Sequence, residues 1–428
     1  MKSINNNKNL KTESKIIYTL NKIITIEQFL KKYAEDINQN NLDDVFKLKF
    51  ELNKKRTSSK IETFIRKASV KDAPVIANLF KEVYKGTYPY KHLEDKRNIA
   101  NMLNNNDTEW ILYETKGNKI AGGIGANLDF NLKKCLLYGF CILEPYRHII
   151  DSLKATIGSL IYFWIKYSKK IPIWYLEVRT YTPSLQWGAS LCSLKPLAFF
   201  PNKDFFFNEI ESEFLCVTYQ SINFLKNHRS ENIPKLIWPT LGAYAYSNKI
   251  YKLGEFKVEN PQIKFNKTFI NKLENSIKIE KKIDEYNNII VNYYLKDSYF
   301  QFFHNKYSQC IENTTYSVSS LEELQAFINY LKKYITQNNV NYFQCFVSAY
   351  KPTHQQIFYE NGFSPRGYIP CWKYNKNTKL FDDYIVFNSY QGSISKKIKL
   401  VNETRKLLKN IGLYNELERR ELLELLKT

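Results

Sequence analysis

The sequence lacks the cysteine patterns that mark metal sites and disulfide frameworks. Its seven cysteines include no Cys-x-x-Cys pair and no Cys/His spacing of the kind that binds zinc. Several of them, such as Cys141, Cys216 and Cys345, lie within apolar runs that are typical of strands. We therefore expect no metal, and we interpret the cysteines as small buried hydrophobic residues of a protein in a reducing compartment.

Long apolar segments are also missing. No segment approaches the roughly eighteen uninterrupted apolar residues that a membrane-spanning helix requires. The first residues, MKSINNNKNLKTESK, include no apolar stretch followed by a small-residue cleavage site, so they do not resemble a secretory signal. These absences predict a protein without membrane association and with a cytoplasmic location.

Glycine is absent from residues 255 to 361. A loop that cradles phosphate through its backbone N–H groups usually depends on glycine, so this stretch cannot contain a glycine-rich cradle. Ser319 or Ser320 is expected instead to cap a helix that begins near Leu321, and Glu323 completes a capping box.

The sequence does contain ample apolar material and a strong basic charge. Hydrophobic residues make up 44% of the 428 residues and aromatic residues 15%, which is enough to close two cores. The formal net charge of +21 would suit a nucleic acid or an acidic carrier protein as partner. Because the lysines are spread along the chain, we interpret them mainly as a solvated basic surface.

A short motif occurs twice and indicates an internal duplication. VRTYTPSLQ at residues 178–186 and VSAYKPTHQ at residues 347–355 share Val, Tyr, Pro, Ser/Thr and Gln, each at an offset of 169 residues. An aromatic-rich helical pattern precedes both copies, and a hairpin that contains Phe and Pro follows both. Because the order of elements around the motif is the same, we infer two α/β units.

The first unit is predicted to have the order βααβββα, followed by a further strand, a short helix and a closing hairpin. Helices around a mostly antiparallel sheet with one late parallel crossover define an α+β fold. The predicted segments are a disordered start and helical extension (1–63), the first unit (64–225), a connector (226–260), the second unit (261–392) and a charged helical tail (393–428).

Three segments of the first unit carry a family resemblance: IRKASVKDA at 65–73, GNKIAG at 117–122 and LEPYR at 143–147. With this order of elements, the unit resembles the GNAT superfamily of acyl-CoA-dependent N-acyltransferases. IFYENGF at 357–363 gives the second unit a weaker likeness to the same family. The resemblance implies two tandem domains of this fold, and an enzyme that transfers an acetyl group from acetyl-CoA to a primary amine of a small molecule or peptide.

The resemblance also implies where acetyl-CoA would lie. In the family the cofactor is wedged between two splayed central strands, and its pyrophosphate rests on the loop that opens the following helix. The matching positions are Phe140, Cys141, Ile142, Arg147, Lys154, Thr156, Ile157, Gly158 and Ser159. The loop departs from the family pattern, because the stretch 147–158 is longer than usual and keeps a single glycine. We expect the second unit to lack a cofactor and to act as a structural or substrate-shaping partner.

Transfer to an amine requires a general base, an oxyanion donor and a proton for the thiolate. Glu177 is the candidate base, and Glu144 is its rival. The alternative for Glu177 is a surface carboxylate paired with Arg179 or with a lysine. Tyr181 is the candidate proton donor, although Tyr350 repeats it in the second unit and so favours a structural role.

A backbone N–H on the central strand around Gly139 is the implied oxyanion donor. Gly139 would tolerate a bulge that opens the strands, and its alternative is a plain strand glycine at a close approach. His148 is the one histidine that the sequence places near the site, and a lone loop histidine is more often exposed than catalytic. Two other functions remain open: a catalytically silent binding module for nucleic acid or an acidic protein, and a tRNA-dependent aminoacyl transferase.

Overall fold

The computed structural model describes residues 23–35, 61, 63–395 and 397–413. The predicted disordered start and most of the helical extension lie outside these residues, as does the end of the predicted tail. The described part of the extension contains helix α1 (Ile26–Tyr33), which begins at the cap residue Thr25. α1 packs on the first half of the protein, where the ring of Phe29 lies 4.7 Å from that of Trp164.

Residues 63–219 form the first half of the protein. Its strands are β1 (Thr63–Lys67), β2 (Thr108–Thr115), β3 (Lys119–Asp129), β4 (Lys134–Ile142), β5 (Ile173–Arg179), β6 (Lys195–Phe206) and β7 (Glu209–Tyr219). Its helices are α2 (Ala73–Tyr84), α3 (Lys96–Asn104), α4 (Ser152–Tyr167) and α5 (Pro183–Leu191). The predicted order βααβββα, followed by a strand, a helix and a closing hairpin, is confirmed.

A connector and the second half follow. The connector contains α6 (Ile222–His228), β8 (Lys235–Leu236), α7 (Leu241–Tyr251) and β9 (Lys257–Val258). The second half contains α8 (Lys267–Ser276), β10 (Lys278–Ile283), β11 (Ile289–Leu295), β12 (Ser298–Asn305), β13 (Cys310–Ser317), α9 (Leu321–Gln337), β14 (Tyr342–Ser348), α10 (Pro352–Glu360), β15 (Ser364–Tyr374) and β16 (Phe381–Tyr390). The last described helix is α11 (Asn402–Asn410).

One sheet of fourteen strands runs through both halves. From one edge the order is β1-β2-β3-β4-β5-β7-β6, and from the other edge it is β10-β11-β12-β13-β14-β16-β15. The two halves therefore share one strand order, and each has one parallel pair, β4 with β5 and β13 with β14. The sequence predicts one sheet for each unit, whereas the structure joins the two sheets where Ala198 of β6 pairs with Gly367 of β15.

The strand ladders are irregular at matched positions in the two halves. The register of β6 on β7 shifts between Phe200 and Asp204, and that of β15 on β16 shifts between Ile369 and Lys373. The first strand of each parallel pair also bulges, at residue 139 (φ 65°) in β4 and at residue 313 (φ 53°) in β13. The similarity of the halves thus extends from strand order to backbone detail.

The repeated motif forms the same strand-to-helix corner in both halves. Gln186 Nε2 donates to the carbonyl of Lys399 at 2.7 Å, and Gln355 Nε2 donates to the carbonyl of Lys235 at 2.8 Å. Each glutamine therefore fastens a distant segment to its corner, the chain before α11 in the first half and β8 in the second. The predicted tail is packed on the first half as far as residue 413.

The sheet curls so that distant strands face each other. Lys203 lies in the irregular part of β6, and its ammonium contacts the carboxylates of Glu177 on β5 and Glu312 on β13. In a flat sheet with this strand order, β5 and β13 would lie roughly 29 Å apart, at about 4.8 Å per strand. The sheet is therefore strongly curved, with Lys203 on its concave side.

A hydrophobic core runs through both halves, and a smaller one lies under α2 and α3. All seven cysteines are buried and free, as the sequence predicts. No helix within the described ranges is both long and apolar enough to cross a membrane.

Gly367 marks the place where the two halves of the sheet meet. A Cβ atom there would lie 2.3 Å from the Cβ of Ala198 and 2.4 Å from the carbonyl oxygen of Leu197. Because these neighbours belong to buried strands, we expect Gly367→Ala to lower the free energy of unfolding by about 1–3 kcal/mol. Gly188→Ala in α5 is the control, since its Cβ position is open and alanine favours a helix. Urea unfolding followed by tryptophan fluorescence measures both, and equal stability of the two variants would contradict the close approach.

Candidate functional site

A cavity of about 1170 Å³ opens between the two halves. Its walls come from the concave side of the sheet, from α4 and α5, and from the loop between α2 and α3. Strands β13, β14 and β15 close it on the side of the second half. Small-molecule sites commonly have volumes of about 300–1,000 Å³, so this cavity is large enough for a sizeable ligand.

β4 and β5 separate to form a slot in the first-half part of this cavity. They pair only over residues 134–136 and 173–175 and then diverge. Gly139 allows the bulge in β4, because its φ is 65° and a Cβ there would lie 2.5 Å from the Trp110 ring. Both sequence interpretations of this glycine, bulge and close approach, therefore apply. Beyond residue 136, the backbone groups of β4 that face β5 have no strand partner in the part of the chain that the structure describes.

Helices α4 and α5 form the other walls of the slot. Leu153, Thr156 and Leu160 line it from α4, and Leu185 and Gly188 line it from α5. No atom lies within 4 Å of the position that a Cβ of Gly188 would take. The slot thus combines a largely apolar lining with one free hydrogen-bonding edge, which suits an elongated ligand that pairs with β4 as an added strand would.

The helix that follows β4 does not begin with a glycine cradle. Asp151 caps α4, and its carboxylate accepts a hydrogen bond from the N–H of Lys154 at 3.2 Å. Gly158 lies inside the helix, where a Cβ would meet the side chain of Ile65 at 2.9 Å. The positive end of the helix dipole already carries a carboxylate, which opposes a pyrophosphate at this point.

Of the predicted cofactor positions, the structure brings Phe140 and Thr156 to the cavity wall. The others are buried in β4 or α4, lie at the edge of the slot, or belong to the α4 cap: Cys141, Ile142, Lys154, Ile157, Gly158 and Ser159. Arg147 is exposed, and its Nε donates to the carbonyl of residue 142 at 3.2 Å. The predicted cofactor residues therefore do not form one continuous surface, because some lie on the cavity wall and others lie within β4 or α4.

The corresponding parallel strands of the second half stay paired past the bulge. Beyond the bulge at Asn313, Thr314 still pairs with Cys345 of β14. At the start of α9, Ser320 is the cap and Glu323 accepts from its backbone N–H at 3.2 Å, so the predicted capping box is confirmed. Over the described residues, β13 and β14 thus stay together for a longer distance than β4 and β5.

A buried ion cluster lies at the centre of the concave side. The ammonium of Lys203, which has no exposed surface, contacts the carboxylates of Glu177, of Glu312 at 3.3 Å and of Glu213 at 3.8 Å. The hydroxyl of Tyr90, from the loop before α3, donates to Glu312 at 3.4 Å. No group of three or more His, Cys, Asp or Glu within the described ranges is arranged to hold a metal ion. One ammonium thus faces three carboxyl groups, which come from three different strands.

Burial shifts the pKa values of these groups. It raises the pKa of Asp204, the neighbour of Lys203, to about 7. It also raises the pKa of Glu312, and that of Glu213 well above its usual range. Burial by itself lowers the pKa of Lys203, but attraction to Glu177 and other acidic groups outweighs it and the pKa lies well above its usual value. At neutral pH the lysine is therefore charged, while Asp204, with a pKa of about 7, holds part of its protons.

Glu177 is the predicted catalytic residue that reaches the cavity. It lies on the diverging part of β5 and accepts a hydrogen bond from the buried lysine of the cluster. The sequence allows Arg179 or a lysine as the partner of Glu177, and the structure shows a lysine. Arg179 instead donates to Glu211 at 2.8 Å. Tyr181 is 44% exposed and Glu144 is exposed, and the cavity wall includes neither.

Sequence reasoning missed several cavity residues, namely Tyr90, Glu213, Glu312 and His354. They come from a loop, two strands and a helix that meet only because the sheet curves. His354 Nδ1 lies 3.1 Å from the hydroxyl of Tyr316, and burial lowers the pKa of its ring to about 4. His148, which the sequence singled out, is exposed. The available signal was a carboxylate at position 213, directly before the apolar run that begins at Phe214.

Aromatic side chains and a lysine form the other end of the concave side. Trp372 of β15 stacks on Phe346 of β14 with ring centres 4.8 Å apart, and the ring of Tyr175 meets it edge-on at 5.0 Å. The ammonium of Lys134 lies 4.2 Å from the centre of the Trp372 ring. The concave side is thus charged at one end and aromatic at the other.

Comparison with known proteins gives matches in structure alone. No protein-family model matches the chain, and no curated protein matches it. A spermidine N-acetyltransferase from Vibrio cholerae is similar over 39% of this chain and 98% of that chain, with 12% identity and a TM-score of 0.32. A ribosomal-protein-S5-alanine acetyltransferase from Vibrio fischeri is similar over 41% of this chain and 97% of that chain, with 12% identity and a TM-score of 0.32. Because these scores are low, we base the proposed function on the geometry of the cavity.

Removal of the central lysine tests the ion cluster. We expect Lys203→Met to lower the free energy of unfolding at pH 7 by about 3–5 kcal/mol, because it leaves buried carboxylates without a cation. The loss should become smaller towards pH 5, since carboxyl groups with raised pKa then take up protons and lose their charge. Thermal and urea unfolding at both pH values measure it.

Lys195→Met is the matched control for this prediction. Lys195 also lies on β6 with a side chain that is 4% exposed, but it pairs with one carboxylate, that of Glu403, at 3.0 Å. Its removal should cost less and should leave no comparable pH dependence. Equal losses of unfolding free energy for the two variants at every pH would show that the cluster stabilises the protein no more than a single ion pair does.

Proposed function

We propose that this protein is an acyl-CoA-dependent N-acyltransferase, specifically an N-acetyltransferase, built from two tandem copies of the GNAT fold. The observation that carries the proposal is the slot between β4 and β5, where a bulged strand presents free backbone groups to a ligand. The first copy (64–225) holds the acyl donor. The second copy (261–392), in which the equivalent strands stay paired, shapes the acceptor side of the cavity.

Acetyl-CoA suits the slot along its pantetheine arm. The amide groups of this arm can hydrogen-bond to the free edge of β4 between Gly139 and Ile142, while the apolar side chains of α4 and α5 cover it. Its pyrophosphate would meet the carboxylate of Asp151 at the start of α4, so Arg147 and Lys154 must supply the compensating charge. Acetyl-CoA supplies an acyl group that is activated as a thioester.

The residues of this chain would divide the chemistry among them. A backbone N–H at the bulge, near Phe140, donates to the carbonyl oxygen as negative charge develops on it. Glu177 accepts the proton that the amine loses when its nitrogen bonds to the acyl carbon and the bond from that carbon to sulfur breaks. Glu177 then returns this proton, through water, to the departing thiolate, which leaves as the free thiol. Tyr181 and Glu144 lie outside the cavity wall and have no part in this proposal.

A second candidate is a binding module without catalytic activity. The observation that favours it is the cap of α4, where Asp151 occupies the position at which a phosphate would be expected. In this case the cavity would bind its ligand without an acyl donor. Affinity for acetyl-CoA decides between the two functions.

Calorimetry with acetyl-CoA can distinguish the two functions when the wild-type protein is compared with a variant whose slot is filled by a larger side chain. Tryptophan at position 188 would project into open space within the slot and should not disturb the core. We expect the wild-type protein and Gly188→Ala to bind acetyl-CoA with similar micromolar affinity, and Gly188→Trp to lose about a hundredfold because the side chain fills the path of the ligand. Absence of binding by the wild-type protein would refute the acyltransferase and support the silent module.

Glu177→Gln tests the general base. The amide keeps the shape of the side chain but cannot take up the proton, so we expect kcat to fall by about 10²- to 10⁴-fold while acetyl-CoA binding is retained. Release of the CoA thiol is measured with a panel of small primary amines and short peptides. Glu144→Gln is the control, and it should retain full activity because Glu144 is exposed and lies outside the cavity wall. Similar activity of the two variants would remove Glu177 from the mechanism.

A further inference from the structure

Lys134 lies on the cavity wall at the aromatic end of the concave side. It is the first residue of β4, and its ammonium lies 4.2 Å from the ring centre of Trp372 and 5.8 Å from that of Tyr175. Within the described ranges it makes no salt bridge and no hydrogen bond through its ammonium. Asp129, its partner across the hairpin, instead accepts a hydrogen bond from the N–H of Leu132 at 2.7 Å.

The environment of Lys134 is unfavourable for a charge without a counter-ion. The pKa of Lys134 is lowered to about 8, because burial and the nearby ammonium of Lys373 together outweigh the opposite effect of Asp129. Lys373 lines the same end of the cavity, so two cations are exposed to the same space. Enclosed charges without a partner are costly, and they are typical of sites where a ligand supplies the opposite charge.

Lys134 and Glu177 lie on one face of the sheet at a defined separation. Lys134 pairs with Ile173, and Glu177 follows Ile173 by four residues on β5, so the three side chains point to the same side. At about 3.3 Å per residue along β5 and about 4.8 Å between paired strands, the backbone positions of Lys134 and Glu177 are roughly 14 Å apart. Tyr175 lies between them, and the cavity joins the two ends.

We infer that the acceptor is an amine that also carries a carboxylate, as an extended amino acid or a short peptide does: its amine lies at Glu177 and its carboxylate binds Lys134. Asp129 and Asp382 lie near the two lysines, but neither forms a salt bridge with Lys134 within the described residues, so its ammonium remains open to the carboxylate of a ligand. The inference rests on the proposed N-acyltransferase activity and names the acceptor class of that same site.

The test compares triglycine with triglycinamide, which share the same amine and differ in the terminal carboxylate. Binding is measured by calorimetry without acyl donor, and turnover by release of the CoA thiol, both at pH 7. In the wild-type protein we expect triglycine to have about a tenfold lower Kd and KM, because triglycinamide lacks the carboxylate that forms a charged hydrogen bond with Lys134. Lys134→Met should abolish this preference, and Lys134→Arg should keep it.

Lys133→Met is the matched control variant. The ammonium of Lys133 lies 3.9 Å from the centre of the Tyr374 ring, and the cavity wall does not include this lysine. The control should keep the full preference for triglycine. The preference for triglycine should also decline above about pH 8, since the Lys134 ammonium loses its proton there. The groups that face this ammonium are Asp129, Lys373 and Tyr175.

The outcomes separate this inference from the proposed function. Turnover of both peptides without a preference, or a preference that survives in Lys134→Met, overturns the carboxylate site and leaves the acyltransferase intact. Binding of triglycine that depends on Lys134, without any turnover, supports the site and refutes the acyltransferase. Failure of the wild-type protein to bind or turn over either peptide at millimolar concentration overturns the inference.

Discussion

The contact between Lys203 and its three carboxylates is the constraint on which the shape of this protein depends. A buried ammonium must be compensated, and the compensating groups come from β5, β7 and β13, which lie at different places in the sheet. The sheet has to curve for these strands to meet, and the curvature creates the cavity. Neither half contains the whole cluster, because Glu312 belongs to the second half and the other members to the first.

The two halves have the same strand order but different side chains at corresponding positions of the concave side. By strand register, the positions of Lys203 and Glu177 in the first half correspond to those of Trp372 and Phe346 in the second. An ion pair on one side is thus a stacked aromatic pair on the other. The bulge is present in both halves, yet the second half lets Thr314 pair beyond it. A bulge alone therefore does not open a slot between two strands. The slot forms where the strands also stop pairing beyond the bulge, as β4 and β5 do.

Local features could be predicted from the sequence because local contacts produce them. Glu323 stands three residues after Ser320, so the capping box follows from spacing alone. Gly139 within an apolar strand is a signal for a bulge, and the structure has a bulge there. The order of elements follows from hydrophobic periodicity for the same reason.

The missed features depend on contacts between residues far apart in the chain. The two sheets join through the single paired position of Ala198 and Gly367, and Glu312 meets Tyr90 across more than two hundred residues. No periodicity in the sequence encodes either contact. The α4 cap was missed for another reason: family resemblance directed attention to Gly158, while the short side chain that caps the helix is Asp151. The resemblance identified the segment, and the structure adds that Asp151 caps the helix that follows it.

Under the proposed function, the charge of the whole chain and that of the cavity act at different ranges. A net charge of +21 favours the approach of a polyanion such as CoA and disfavours that of a polycation. Within about 8 Å in physiological salt, however, nearby groups dominate, and the carboxylates around Lys203 attract an amine locally. An acceptor with one amine and one carboxylate is nearly neutral at long range, so the basic surface does not repel it. Once bound in the cavity, the acceptor can place its amine at Glu177 and its carboxylate at Lys134. The low polarity of the cavity strengthens both contacts.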